Sequence, residues 1–366
     1  MNINEIETPA LLIELSILKN NISSMQNRCN IKGVKLRPHI KTHKMPKIAK
    51  MQLDEGANGI AVAKLGEAEV FANEGFDDIQ IANIIIGEKK IERLFQLKSK
   101  VKNLSVCVDS VVGIKQLSQR FEVQSPKLNV FVEIDTGLGR SGLKDKVEIL
   151  NLINEIEKYS GLRFAGLLTH AGQVYSAENF EEIKNIANFE VEFICDIARF
   201  LRKKEKKVNV LSIGSTPAAN AYDNLDEINE IRPGNYVFND MIQVSLGVAK
   251  IEQCSLSILT SVISKPANDR VIIDAGSKSL HTDRGAHGNE KIKTYGFVLE
   301  KKCSIMRLSE EHGFVYHQDE KFYIGEKLRI IPNHACAVCN LFDYAYLVDK
   351  NQVIDVISIS ARGKVT

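Results

Sequence analysis

Between residue 35 and about residue 238, short β-rich runs alternate with helix-spaced segments, and this alternation constrains the fold more than any other feature of the chain. The runs are KLRPHIK, GIAVAK, DIQIANI, LSVCVD, LNVFVEID, LRFAGLLTH, VNVLSIG and EIRPGNYVF, eight in all. Segments such as 44–56, 65–75, 88–100, 111–121, 145–158 and 178–207 separate them, with apolar residues at helical spacing and charged opposite faces. Alternating strand and helix builds a parallel sheet, and eight such units predict a closed (β/α)8 barrel, with a doubly wound open sheet as the alternative. Several runs are nearly continuous in apolar residues, as strands are when helices cover one face and a packed interior the other. After residue 240 the pattern changes to SLSILTSVISK, RVIIDAG, KFYIGEKLRIIP and YAYLVDKNQVIDVIS, without long helices, which predicts a second, mostly β domain. The early TPALLIEL looks like a strand with no barrel partner and is assigned to that second domain. The expected division is therefore a barrel over 11–240 and a β domain over 241–366, joined by the N-terminal strand 1–10.

At 366 residues and 44% apolar content the chain can bury the cores of both domains. A formal net charge of +2 gives no general attraction to nucleic acid or to an anionic membrane, so small molecules are the expected partners. No apolar run approaches the roughly 20 residues that span a bilayer, and MNINEIETPALLIELS has no basic stretch ahead of its apolar residues. The seven cysteines are odd in number and irregular over most of the chain, which suits a reducing compartment, and a cytoplasmic location is expected.

The polar residues of interest fall at the C-terminal ends of the predicted strands, where barrels carry their functional groups. Lys41 ends the first run, within Arg37-Pro38-His39-Ile40-Lys41-Thr42-His43-Lys44. A lysine facing a cavity there loses its charge through desolvation and neighbouring imidazoles, which suits a Schiff base with an aldehyde such as pyridoxal 5'-phosphate (PLP). A solvated basic turn is the competing reading of the octapeptide. Lys64, Asn83, Asp109, Asp135 and His170 end the next five runs, Gly214-Ser215-Thr216 follows the seventh, and Arg232-Pro233-Gly234-Asn235 lies in the eighth. Ser215 and Thr216 offer hydroxyls and backbone N–H groups to a phosphate, or serve as an ordinary helix cap. Their place after the seventh strand favours phosphate, and Gly234-Asn235 adds backbone donors. The glycines of Asp135-Thr136-Gly137-Leu138-Gly139-Arg140 have no phosphate-loop spacing and are read as shaping a turn that presents Arg140. In the second domain, His334 and Cys336 stand two residues apart, on one side of an extended segment, and offer two soft ligands to a metal such as zinc. Cys339 is read as packing. The polar segment Asp274 to Gly285 is a candidate to line the same cleft, from this subunit or a partner.

RPHIKTHK, EIDTGLGRSG, LLTHAG, IGSTP, EIRPGNY and PNHAC, in this order, resemble the fold-type III PLP enzymes related to alanine racemase, within the D-threonine aldolase and D-serine dehydratase group. The resemblance covers nearly the whole chain. It implies that Lys41 holds PLP, that Arg140 contacts the phenolic oxygen, and that His170 backs the ring. Ser215, Thr216, Gly234 and Asn235 would hold the phosphate, Tyr175 would lie near the cofactor, and Arg232 would face the pyridine nitrogen. Lys41 and His43 are the candidate catalytic residues. A divalent metal, zinc or manganese, on His334 and Cys336 would bind the β-hydroxyl of a D-amino acid substrate, and a homodimer is implied. Such a metal serves retro-aldol cleavage, placed first, as well as β-elimination from D-serine or D-3-hydroxyaspartate. The His-x-Cys pair looks like the dehydratases, since some aldolases carry aspartate in place of the cysteine. Racemisation, and a non-catalytic PLP carrier, are the remaining alternatives.

Overall fold

The computed structural model describes residues 1–121, 127–286 and 291–366. After β1 (Ala10–Glu14) and α1 (Leu15–Ile31), eight strands alternate with helices. The strands are β2 (Lys35–Leu36), β3 (Ile60–Val62), β4 (Asp78–Ile84), β5 (Asn103–Val108), β6 (Leu128–Ile134), β7 (Leu162–Thr169), β8 (Val210–Ile213) and β9 (Glu230–Ile231). Helices α2 (Pro46–Asp54), α3 (Leu65–Asn73), α4 (Glu88–Lys100), α5 (Val111–Arg120), α6 (Lys146–Glu157) and α7 (Phe180–Lys203) lie between them. The strands pair in the order β2-β9-β8-β7-β6-β5-β4-β3, all parallel. A parallel bridge between His39 and Ala61, in which Ala61 N–H donates to Pro38 O at 2.8 Å, joins the two ends of the sheet. The barrel predicted from the eight runs is thus present and closed.

Local chemistry sets the boundaries. Three of the helices begin where a side-chain oxygen meets otherwise unpaired N–H groups: Ser110 caps α5, Asp145 caps α6 and Asn179 caps α7. Along α7, Ile183, Ala187, Ile194, Ile197, Ala198 and Leu201 form one buried stripe at helical spacing. The first strand is shorter than the run Lys35 to Lys41 suggests. Pro38 has no N–H for the ladder, so the chain leaves the sheet after the His39 bridge and turns through a 3-10 helix at Ile40–Thr42. Pro233 shortens β9 in the same way.

The second domain contains β10 (Leu256–Ala267), β11 (Arg270–Ile273), β12 (Phe297–Val298), β13 (Cys303–Leu308), β14 (Gly313–Tyr316), β15 (Lys327–Ile331), β16 (Tyr344–Asp349) and β17 (Gln352–Ser358). With β1 they form one nine-stranded sheet, ordered β11-β14-β13-β12-β15-β10-β1-β16-β17, and a further β10–β11 pairing closes six of its strands into a small barrel. The N-terminal strand therefore lies in this sheet, antiparallel to β10 and parallel to β16. It runs to Glu14, so a division at residue 11 would cut it, and the barrel layer starts with α1.

The segment Pro332 to Cys336 is laid over the C-terminal ends of the (β/α)8 strands by three hydrogen bonds. Met241 N–H donates to Pro332 O (3.1 Å), Ile242 N–H to Asn333 O (3.2 Å), and Ala335 N–H to Asp240 Oδ2 (2.9 Å). These contacts place the second domain's polar residues over the barrel mouth.

Candidate active site

A cavity of about 640 Å3 opens there, walled by both domains of one chain. Lys41, Arg140, His170, Tyr175, Ser215, Thr216, Arg232, Gly234 and Asn235 line it from the barrel, and His334 and Cys336 from the β domain. Asn83 also lines it. Lys64 and Asp109 do not: the Lys64 N–H caps α3 through Glu67, and Asp109 accepts from the Gly142 N–H.

Ile40 and Thr42 are buried on either side of Lys41, so the turn is anchored, and Lys41 and Thr42 both line the cavity. Burial lowers the Lys41 pKa. The Cys336 thiol and Glu67 oppose this, while Arg140 and Arg232 add to it. The result is an amine that gives up its proton more readily than a surface lysine, as a nucleophile toward an aldehyde must. His39 shares the cavity, and burial together with the nearby cations holds its pKa well below the usual histidine value.

At one end of the cavity the backbone N–H groups of Ser215, Thr216, Gly234 and Asn235 have no protein acceptor among the described residues. The Ser215 hydroxyl accepts from Ala218 N–H (3.4 Å) and that of Thr216 from Tyr236 N–H (3.2 Å), which leaves both hydroxyl protons to donate. Four N–H groups and two hydroxyls fit a phosphate dianion. The helix after Ser215 has four residues, Thr216–Ala219, so the donors themselves carry the site rather than a helix dipole. The Asn235 side chain donates to Asp240 Oδ2 (2.6 Å), so its contribution to the cup is its backbone. Gly234 is required by space: a Cβ would lie 2.8 Å from His39 O and 2.9 Å from Thr42 Oγ1.

Arg232 is buried and anchored, its Nη1 donating to Ser212 Oγ and its Nη2 to Thr169 O. Ser212 in turn donates to Glu230 (2.6 Å), which accepts from Arg37 (2.9 Å), so a hydrogen-bonded chain runs through the barrel interior and holds the guanidinium in place. His170 is oriented by a 3.2 Å hydrogen bond from its Nδ1–H to Gly214 O. Arg140 lies 3.6 Å from Glu133, a buried carboxylate that also lines the cavity and accepts from Ser141 Oγ (2.8 Å). The loop before Arg140 is shaped by Asp135, whose Oδ1 accepts from the Gly137 and Gly139 N–H groups at 2.9 and 3.0 Å; those amides are therefore occupied and cannot serve phosphate. Burial pushes the Tyr175 phenol far above its usual value, so it stays protonated.

His334 Nδ1 lies 2.8 Å from Asp283 Oδ2, which leaves Nε2 for the Cys336 thiol. Burial pulls the His334 pKa down, but the thiolate and Asp283 outweigh it and raise the imidazole to about 10. Burial likewise pushes the thiol up, and is outweighed by His334 and by the Thr42 hydroxyl 3.3 Å away, so the Cys336 pKa falls. Each partner favours the charged form of the other, and a divalent metal takes the place of the proton between such a pair. An imidazole held by a carboxylate beside a thiolate is a donor set for zinc or a similar ion. Among the described residues no three His, Cys, Asp or Glu side chains converge as a metal site. Cys339 is fully buried, as packing requires.

His43 departs from the expectation. Its ring is fully buried outside the cavity, with Nδ1 accepting from Met45 N–H (3.0 Å) and Nε2–H donating to Gln52 Oε1 (3.2 Å). Protonating Nδ1 would set two N–H groups against each other, and burial lowers the pKa to about 3. The residue shapes the turn into α2 and does not line the cavity. No motif points to a role for Glu133 or Asp240, whereas His39 is one of the imidazoles expected beside Lys41 and Asp283 lies in the polar segment expected to line the cleft. That segment comes from the same chain: Asp283, Gly285 and Ala286 line the cavity.

The alanine racemase N-terminal domain model matches residues 13–241, well over half of the chain. The chain belongs to this family. The model of a serine dehydratase domain matches residues 255–348. The chain is 35% identical to a D-threo-3-hydroxyaspartate dehydratase from a Delftia species, over 91% of each chain. It is 33% identical to a D-threonine aldolase from an Arthrobacter species, over 98% of this chain and 93% of that one. It also superposes with a TM-score of 0.92, at 32% identity and over 98% of each chain, on a D-threo-3-hydroxyaspartate dehydratase solved as a cysteine-to-alanine mutant in the metal-free form. The alanine racemase-like fold expected from the motifs is thus shown.

Proposed function

We propose that this chain is a PLP- and divalent-metal-dependent lyase acting on D-β-hydroxy amino acids. The observation that carries the reading is that Lys41 and the His334–Cys336 pair, contributed by separate domains, face one cavity beside a cup of unpaired N–H groups. Relatives named as dehydratases and as an aldolase, both lyases, support the class. PLP held by Lys41 and the cup supplies a sink for the electron pair released when a bond to the substrate α-carbon breaks, and a divalent metal on His334 and Cys336 supplies a Lewis acid for the β-hydroxyl.

The chain's own residues do the rest. Lys41 Nζ, its basicity lowered by burial, would give and take a proton at the substrate α-carbon. Arg232 would face the cofactor's ring nitrogen, where a cation would disfavour its protonation and leave more of the catalysis to the metal. Asp283 holds the His334 ring by Nδ1, which would leave Nε2 to a metal. Tyr175 presents a neutral hydroxyl. Within the lyase class we put β-elimination to a 2-oxo acid and ammonia first, because Cys336 pairs with His334 and the solved dehydratase with a cysteine-to-alanine change is in the metal-free form. Retro-aldol cleavage to glycine and an aldehyde, the reaction placed first from the motifs, is the second reading, supported by the Arthrobacter relative. We read the metal as zinc or manganese and the protein as a cytoplasmic homodimer, on the family resemblance and on the cysteine usage. Among the described residues, no helix is long and apolar enough to cross a membrane.

Product analysis tests the reading: purified protein with PLP and Zn2+ or Mn2+ is offered D-threonine, D-serine and D-3-hydroxyaspartate, with the L-enantiomers as controls. A 2-oxo acid with ammonia, from D-substrates alone, is the expected result. Glycine with an aldehyde assigns the aldolase, and loss of optical activity without either product overturns the lyase reading in favour of a racemase.

A further inference from the structure

Asp240 is fully buried between the two domains and uses both carboxylate oxygens. Its Oδ1 accepts from Gln243 N–H at 3.1 Å, which is ordinary capping of the short helix Met241–Ser245. A serine or asparagine would do that with one oxygen. The second oxygen makes a different set of contacts, since Oδ2 accepts from Asn235 Nδ2 at 2.6 Å and from Ala335 N–H at 2.9 Å. Asn235 supplies an N–H to the phosphate cup, and Ala335 is the residue between His334 and Cys336. The Asn235 amide has no other tether among the described residues, since its Oδ1 is buried without a partner. Burying a carboxylate is unfavourable unless its oxygens are fully used, so the choice of aspartate here points to the bridge rather than to the cap.

We propose that Asp240 is a positioning residue that couples the cofactor-phosphate cup to the metal loop through its shared Oδ2. The inference rests on the proposed function, since it takes the cup to hold the PLP phosphate and His334 with Cys336 to hold the metal. Filling the cup fixes Asn235, Asn235 fixes Oδ2, and Oδ2 fixes the peptide that spaces the two metal ligands. Each group then binds more tightly when the other is present, by the same factor in both directions.

The test measures Zn2+ affinity by competition with a chromophoric chelator, with and without PLP, and PLP affinity with and without Zn2+. In the wild-type chain each ligand is expected to tighten the other by about 5- to 150-fold, the usual size of a coupling. Asp240→Asn keeps the size of the side chain but offers one acceptor oxygen in place of two. It is expected to weaken Zn2+ by about 10- to 100-fold, as loss of a group supporting metal ligands does, and to bring the coupling factor close to one. Should that variant fail to fold, Asn235→Ala keeps the cap and the Ala335 bond. It is expected to bind Zn2+ like the wild type in the absence of PLP and to lose the coupling. A purely structural role would lower the Tm and leave the coupling intact, and wild-type coupling in either folded variant overturns the inference. A wild-type chain that binds both ligands independently overturns it too while the proposed function stands, whereas a chain that binds neither overturns both.

Discussion

Replacing Gly234 by alanine isolates the phosphate cup. Gly234 has φ −118° and ψ −54°, which alanine adopts without backbone strain, so the whole effect of the substitution comes from contact. The new Cβ would stand 2.8 Å from His39 O, 2.9 Å from Thr42 Oγ1 and 3.4 Å from His39 Cβ. The closest of these is a backbone atom, which no rotamer change can move. The chain must therefore separate the Gly234–Asn235 segment from the turn that carries Lys41. Overpacking of this kind costs about 1–3 kcal/mol. In the free protein the loop relaxes outward and avoids most of that cost, but PLP needs the Gly234 and Asn235 N–H groups and Lys41 together, so the cost reappears on binding. At about 1.4 kcal/mol per tenfold, PLP is expected to bind roughly 5- to 150-fold more weakly. Titration of the cofactor-free variant with PLP, followed by the absorbance of the bound cofactor, reads the Kd, and a melt run in parallel reads the Tm. A Kd within about twofold of wild type, with or without a lower Tm, would show that the cup is not where the phosphate binds.

Other consequences follow from single contacts. Asp283→Ala removes the partner of His334 Nδ1 and should weaken metal binding about 10- to 100-fold in a chelator competition while leaving the PLP Kd measured without metal unchanged. Lys41→Ala should abolish both turnover and the absorbance of lysine-bound cofactor; retained absorbance and turnover would refute the assignment. His43 gives a pH signature. Its folded pKa, about 3, lies below the ordinary 6.5, so the unfolded chain takes up the proton first as the pH falls. Its contribution to stability is complete above pH 6.5 and declines by about 1.4 kcal/mol per pH unit toward pH 3. Urea midpoints between pH 7 and 5 should therefore fall less steeply in His43→Gln than in wild type, and equal slopes would contradict the buried placement.

Much of this site is legible in the sequence because a parallel barrel turns strand order into spatial order. Eight apolar runs place eight strand ends on one rim, and Lys41, His170, Ser215 and Arg232 meet there although they are far apart in the chain. Pattern alone fails where a single atom decides. Pro38 and Pro233 end their strands early by lacking an N–H, and the run of β propensity around them does not reveal it. His43 shares the basic octapeptide with Lys41, yet the turn at Ile40–Thr42 sends one inward to Gln52 and the other to the cavity. The nine-stranded sheet is less readable still, since β1 pairs with β10 and β16, partners that lie far away along the chain. The bonds from Asp283 to His334 and from Asp240 to Ala335 are hidden for the same reason, since each joins residues far apart in sequence.

Lys41 and a divalent metal on His334 and Cys336 are held to act in one cavity. Stripping the metal from PLP-loaded protein with a chelator, while following both the cofactor absorbance and turnover of a D-β-hydroxy amino acid, separates the two. Turnover should stop, the absorbance should persist, and Zn2+ or Mn2+ should restore the rate in the wild-type chain but not in Cys336→Ala. An undiminished rate in the metal-free protein, with the cofactor still bound, would contradict a shared site.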